Sequence, residues 1–475
     1  MVPLAILAHC SLINSFDDVV PEGTDGGAVT PTLDGSTDAQ TTGDVATSET
    51  GSDAATTADA DASGPKSGGA IVAIASDIDN GGTAVPRTQL VVIDPRTGQK
   101  FPNTASEFIT DAGADSQAPS YDAVVYDRDK DLWYVIVRET PPPSPITVQV
   151  RRLNPTTGQW IPWGGTNSPI SRSLQHLPSP SNGKGNYVAM NGRLVYTADP
   201  APGATHVADV FEIDVDPDAG TPTFREAGAA PLNMSPTGLV ASPQDNVINY
   251  FAMPQCGDGG VTPDGGACLL AVDSVTVPVT PSSVAHRNLT NDAAKFTTVG
   301  STAGIAAGGL YERGTDREVF LAVPRQGAGS RIFGLQPSSF DPGSHGSEIA
   351  MPGSATNRRY APLAIAECSL HAFYVDQIAD KLLYALPLTG VSPMAASTTH
   401  EQTNMNIAFE PFTSSVVVYG VASGERLTEF NAFRFDTMPL ALNRRTDTSA
   451  LPWKAPTNLA VRSLAIRRPR GFTCE

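Results

Sequence analysis

Neither Lys nor Arg occurs among the first 65 residues, which carry eleven Asp or Glu. Charge is sparse overall, with Asp, Glu, Lys and Arg at 17% of the chain, below the roughly 25% of ordinary globular domains. The formal net charge is −18. The chain therefore lacks the basic surface that nucleic-acid phosphates demand, and nucleic acid is excluded as a partner. No apolar run approaches the about 20 residues that a membrane-spanning helix needs. Helical periodicity is nearly absent. Residues 458–468 are the best candidate, and they read as well as a strand.

What is abundant is turn chemistry. Gly (43) and Pro (40) together exceed their usual share, and they cost about 1 and 3 kcal/mol at interior helix positions. That balance excludes a helical protein and favours short strands joined by many turns.

The chain opens with a nearly continuous apolar stretch, residues 2–8, followed by His9 and Cys10. Leu7-Ala8-His9-Cys10 resembles the lipobox of bacterial lipoproteins, although His9 stands where that family carries a small residue. The resemblance implies a leader remnant at 1–9, lipidation of Cys10, a membrane contact through the acyl chains, and an exported protein of the cell envelope, at the outer membrane. Residues 10–68 are rich in Thr, Asp, Ala, Ser and Gly. Low hydrophobicity with charge of one sign predicts a disordered, extended tether there.

From residue 69 to 475 the sequence repeats itself. Leu90-Val91-Val92-Ile93-Asp94-Pro95-Arg96-Thr97-Gly98-Gln99 returns sixty residues later as Val150-Arg151-Arg152-Leu153-Asn154-Pro155-Thr156-Thr157-Gly158-Gln159. Weaker echoes follow at 211–220 and 382–390. Each is a strand ending in a Pro-led turn closed by Gly. A strand–turn–strand unit recurs beside these turns, at residues 123–137, 187–197, 239–252, 305–323, 364–375 and 407–421. Together these units resemble the YVTN/quinoprotein-like β-propellers. The resemblance implies an all-β propeller of about seven four-stranded blades over 69–475, with residues 94–98 and 154–158 at equivalent corners of consecutive blades. Two packed β-sandwich domains are the alternative.

Candidate chemistry is thin. Asp127, Asp129 and Asp131 have calcium-loop spacing, as do Asp214, Asp216 and Asp218, but Leu132 and Ala219 stand where an EF-hand needs Gly, and Arg138 and Arg225 where it needs Glu. No metal site is expected. His176, His206, His286, His345, His371 and His400 form no ligand pair, and no C-x-x-C, nucleophile elbow or P-loop occurs. Residues 300–304 offer Thr where an elbow needs Ser. Trp160 and Trp163 follow a repeat turn and suit packing between blades. Arg462, Arg467, Arg468 and Arg470 reverse the charge locally, as a solvated strand face or a seat for an anion.

Setting Cys10 aside leaves four cysteines, Cys256, Cys268, Cys368 and Cys474. In an oxidising compartment they are expected to pair as Cys256–Cys268, closing one loop, and Cys368–Cys474, pinning the end of the chain. The functional expectation is a monomeric binding or scaffolding module for a protein or glycan ligand, with no cofactor. The alternative is a propeller lyase or quinoprotein-type oxidoreductase acting in a central funnel. Residues lining the channel distinguish the two.

Overall fold

In the computed structural model the described residues are 68–77, 88–101, 107–108, 120–138, 146–163, 170–174, 187–198, 209–216, 223–233, 236, 238–252, 271–288, 306–313, 316–325, 329–339, 349–350, 363–366, 368–375, 382–388, 396–399, 405–421, 428–438, 440–445, 459–469 and 472. All lie in one compact unit, 62–475. Residues 1–67, which hold the expected leader remnant, Cys10 and all of the expected tether but Gly68, are outside them.

The run Leu132-Trp133-Tyr134-Val135-Ile136-Val137 shows what the chain must build. All six residues are buried, so a strand carrying them needs cover on both faces of its sheet. Trp133, Val135 and Val137 enter one apolar cluster, while Leu132, Tyr134 and Ile136 enter another. This two-residue period is that of a strand sandwiched between sheets.

Seven antiparallel sheets supply the cover. The second holds β5 (Ser120–Asp127), β6 (Leu132–Arg138) and β7 (Ile146–Leu153), with β8 (Trp160–Ile161) and β9 (Ile170–Ser173) both on the edge of β7. The third runs β10 (Val188–Met190), β11 (Arg193–Ala198), β12 (Asp209–Asp216), β13 (Thr223–Pro231). The fourth runs β14 (Gly238–Ser242), β15 (Val247–Ala252), β16 (Ala271–Thr276), β17 (Val284–Asn288). The fifth is β18 (Ala306–Arg313), β19 (Asp316–Arg325), β20 (Gly329–Leu335), β21 (Ile349–Ala350). The sixth is β22 (Ala364–Ala366), β23 (His371–Val375), β24 (Leu382–Pro387), β25 (Ala396–Thr399). The seventh is β26 (Met405–Glu410), β27 (Ser415–Val421), β28 (Thr428–Thr437), β29 (Leu440–Arg444).

The first sheet breaks the sequential rule. β1 (Ile71–Asp77), β2 (Thr88–Asp94), β3 (Gln99–Lys100) and β4 (Glu107–Phe108) are joined by β30 (Leu459–Ile466), which pairs with β1 from Ile71↔Ile466 to Asp77↔Leu459. The end of the chain thus supplies the innermost strand of the blade that the beginning of the domain starts. Residues 458–468 resolve their ambiguity as this strand.

Seven apolar clusters fill the seven spaces between consecutive sheets. One joins the third sheet to the fourth, and another, containing Ile71, Ala73, Val417 and Ala432, joins the seventh back to the first. The circle is closed: the fold is a seven-bladed β-propeller. Its closure excludes the two-sandwich alternative. Trp163 is buried in the cluster between the second and third blades, as the packing expectation for it required.

The repeat turns occupy matching corners. Gly98 N donates to Asp94 O and Gly158 N to Asn154 O, both at 2.8 Å. Arg96 N reaches Asp94 Oδ1 at 2.9 Å and Thr156 N reaches Asn154 Oδ1 at 2.9 Å. Both glycines are left-handed, with φ of 68° and 70°, a conformation that glycine adopts without a Cβ penalty.

The first hairpin of the blades has its own signature. Asp131, Asn191, Asn246, Leu370 and Ser414 are each left-handed, with φ between 48° and 53°, in the turns of blades two, three, four, six and seven. Asp and Asn tolerate that region because their short side chains bond locally. Leu370 has no such help and is held by burial among Leu363, Ala372 and Leu388.

Candidate functional site

The first strand of every blade faces the central axis, so β5, β10 and β30 stand side by side on the channel wall. Between them lies an open hollow of about 310 Å³. β5 contributes Val124, Val125 and Tyr126. The start of the third blade contributes Tyr187, Val188 and Ala189, and β30 contributes Leu464, Ala465 and Ile466. The lining is aliphatic apart from the two tyrosines.

The rim is polar and fixed. Tyr126 donates its hydroxyl to Asp131 Oδ1 at 2.8 Å, and its ring lies 4.7 Å from that of buried Trp133. Arg467 grips the same carboxylate with two prongs, Nε to Oδ1 at 2.9 Å and Nη2 to Oδ2 at 2.5 Å. Its Nη1 donates to Gly68 O at 2.6 Å, and its backbone N donates to Ala70 O at 2.8 Å. Burial pushes the Tyr126 phenol far up, helped by the charge of Asp131. Burial does the same to Tyr187, with Asp122 adding to it. Both therefore stay protonated near neutrality, but neither offers its hydroxyl to the hollow, that of Tyr126 being committed to Asp131 and that of Tyr187 buried. The hollow's surface is as polar as apolar, because most of the lining side chains pack between blades and the strand edges present backbone N–H and C=O groups.

The first of the two aspartate runs is turn chemistry, while in the second Asp214 and Asp216 lie in β12 and Asp218 is outside the described residues. Asp127, wholly buried, accepts Asp129 N at 3.0 Å, Lys130 N at 3.3 Å and, from the next blade, Gly192 N at 2.6 Å. Asp131 holds Arg467. Asp214 lies 3.4 Å from Arg225 and 3.9 Å from Arg193. Glu410 repeats the corner role in the seventh blade, accepting Phe412 N and Thr413 N at 2.9 Å each.

Arg467 does not belong to a solvated strand face: its side chain is 13% exposed and committed to Asp131. Of the six histidines, His286 and His371 are among the described residues. His286 Nδ1 lies 2.7 Å from buried Asp273, which also accepts Asn233 N at 2.7 Å. That pair sits on the outer strands β16 and β17, away from the hollow. His371 donates Nδ1–H to Ser369 O at 2.6 Å and packs edge-on against Phe435. Burial holds its pKa below the ordinary value.

Cys368 is among the described residues, whereas Cys256, Cys268 and Cys474 are not, so both expected pairings, Cys256–Cys268 and Cys368–Cys474, reach outside them.

Sequence reasoning missed the hollow. Its nine lining residues are ordinary strand residues from three segments, and only ring closure brings them together.

No protein-family model matches the chain, and a search of curated proteins finds no match. Solved structures do resemble it. One is a putative 6-phosphogluconolactonase from Bacteroides fragilis, with 10% identity, a TM-score of 0.40, and coverage of 84% of this chain and 98% of that one. A Lactobacillus plantarum protein has 10% identity, a TM-score of 0.43, and coverage of 84% and 99%. Chaetomium thermophilum Sqt1, solved with the N-terminus of a ribosomal protein, has 10% identity, a TM-score of 0.43, and coverage of 78% and 86%.

Proposed function

We propose that this protein is a binding propeller displayed at the cell envelope, and that its hollow receives an apolar side chain of a partner polypeptide. The observation that carries the reading is the hollow itself, whose nine lining residues, seven aliphatic and two tyrosines, lie on three adjacent inner strands. As much of the hollow's surface is polar as apolar, and the polar part is largely backbone N–H and C=O of these strands, which can pair with the main chain of a polypeptide.

Titration of the full chain with capped tripeptides tests it. Central Leu or Phe is expected to give saturable one-to-one binding and central Asp none, and Ala189→Glu is expected to abolish the Leu signal in protein that circular dichroism shows to be folded, although the charge beside the cluster between blades lowers the thermal midpoint. Equal binding of all peptides, or survival of binding in Ala189→Glu, contradicts the reading.

Display at the envelope rests on the lipobox resemblance at Cys10. Cys10→Ser is expected to shift the protein from the membrane to the soluble fraction, and unchanged fractionation contradicts the anchor.

A further inference from the structure

The hollow is walled by strand edges, and the ladders behind them fix which groups face it. In an antiparallel pair, alternate residues turn both N–H and C=O to the partner strand, and the residues between turn both away. Each inner strand has one edge taken up by its own blade, so its outward residues point to the channel. Three features set the phase. Val124 N donates to Ser463 Oγ at 3.1 Å, which turns Val124 and Tyr126 of β5 away from β6. Met190 and Arg193 flank the two-residue turn of Asn191 and Gly192, which pairs them and leaves Ala189 outward. Arg467 N donates to Ala70 O at 2.8 Å, so Ser463 and Ala465 face β1 while Leu464 and Ile466 face the channel.

The three edges are unequal. On β5 the Val124 amide is already taken by Ser463, and on β10 a single residue, Ala189, is outward before the turn. β30 presents Leu464 and Ile466, two outward residues in succession, which is the repeat that an added strand needs. Side chains alternate on the same register. Leu464 and Ile466 pack towards the seventh blade, whereas Ala465 packs with Val124 and Tyr126 towards the second. Directly opposed residues of paired strands share a face. A strand laid along β30 therefore places the residue opposite Ala465 on the β5 side, within the hollow. The bond from Val124 N to Ser463 Oγ shows an outward donor of this wall taking an oxygen acceptor that comes within reach.

We infer that the partner enters as a short extended segment whose main chain pairs with Leu464 and Ile466 of β30, its middle residue filling the hollow opposite Ala465. The inference rests on the binding function proposed above and adds to it the edge and the register. The two residues on either side of the middle one exchange N–H and C=O with β30. The middle residue turns its own amide away and is recognised by its side chain. Recognition is thus of side chain at one position and of main chain at its two neighbours.

Two readouts on the full chain, with the capped Leu tripeptide as probe, test this. Hydrogen exchange resolved to single residues is expected to show the Leu464 and Ile466 amides slowing about tenfold at saturating peptide. Ser463 and Ala465, already paired to β1, are expected to stay unchanged. Slowing at Tyr126 or Ala189 instead overturns the choice of edge, and slowing of the same two amides by maltotriose would give that edge to a glycan and overturn the inference. Titration then compares the three forms of the peptide that carry one N-methyl group. A methyl on the first or third residue is expected to weaken binding about tenfold, and one on the central residue by less than about twofold. Equal weakening by all three overturns the register, and indifference to all three overturns main-chain pairing. Binding of the peptide with no change at Leu464 or Ile466 overturns this inference alone, whereas absence of any binding sinks the function and the inference with it.

Discussion

The Asp127 carboxylate reaches out of its own blade to accept the Gly192 amide of the next at 2.6 Å, while holding its own turn through Asp129 N and Lys130 N. One buried side chain thus sets a hairpin and docks its neighbour. Asp127→Ala leaves three amides without an acceptor and is expected to cost about 2–4 kcal/mol, with Asp127→Asn costing less. Urea midpoints check this, and a loss below about 0.5 kcal/mol for Asp127→Ala would mean the corner is not held by this carboxylate.

Burial raises the carboxyl pKa of Asp127, Glu212 and Glu410 above the ordinary range, and for each it outweighs the donors that bond them. A carboxyl that keeps its proton more tightly when folded adds stability below the unfolded pKa of about 4 and loses it as pH rises through the folded value. The urea midpoint is therefore expected to fall as pH climbs from about 4 towards neutrality, and Glu410→Gln to flatten that slope. An unchanged slope in the variant contradicts the assignment.

Gly158 is left-handed at φ 70°, and a Cβ there would lie 2.3 Å from the ring of Phe101 in the preceding blade. Gly158→Ala is expected to lower stability by about 2 kcal/mol or more, since strain and overlap add. Because the Phe101 Cβ would itself lie 2.4 Å from the added methyl, it is Phe101→Gly that should recover part of that loss in combination, and full additivity of the two substitutions would show that the overlap is absent.

Arg467 and Asp131 are 336 residues apart in sequence, and their ion pair fastens the closing strand to the second blade. Asp131 is 39% exposed, so screening limits the pair to a coupling of about 1 kcal/mol in a double-mutant cycle, smaller in high salt. A cycle that closes to zero at low salt would assign the fastening to backbone pairing alone.

Much of the ring was legible because its signals are local. Asp94 and Asn154 each initiate the same Pro-led turn, and the chemistry that closes it, down to the left-handed glycine, lies within five residues. The strand–turn–strand units at 187–197 and 407–421 became the inner hairpins of the third and seventh blades for the same reason. The rest depends on distance. Arg467 passes for a solvated cation until Asp131 is placed beside it. Asp127, Asp129 and Asp131 share a cation-loop spacing, but Gly192, which completes the role of Asp127, lies a blade away. The hollow had no signal at all, because Val125, Ala189 and Ala465 are unremarkable strand residues until the chain closes on itself.

Photolabelling with a capped tripeptide carrying a diazirine analogue of leucine tests the central claim most directly. Irradiation of the full chain is expected to attach the label within residues 124–126, 187–189 and 464–466, with excess Leu tripeptide competing it away. Label spread over the surface, or concentrated on another face and indifferent to competitor, would contradict a binding site on the inner wall of this propeller.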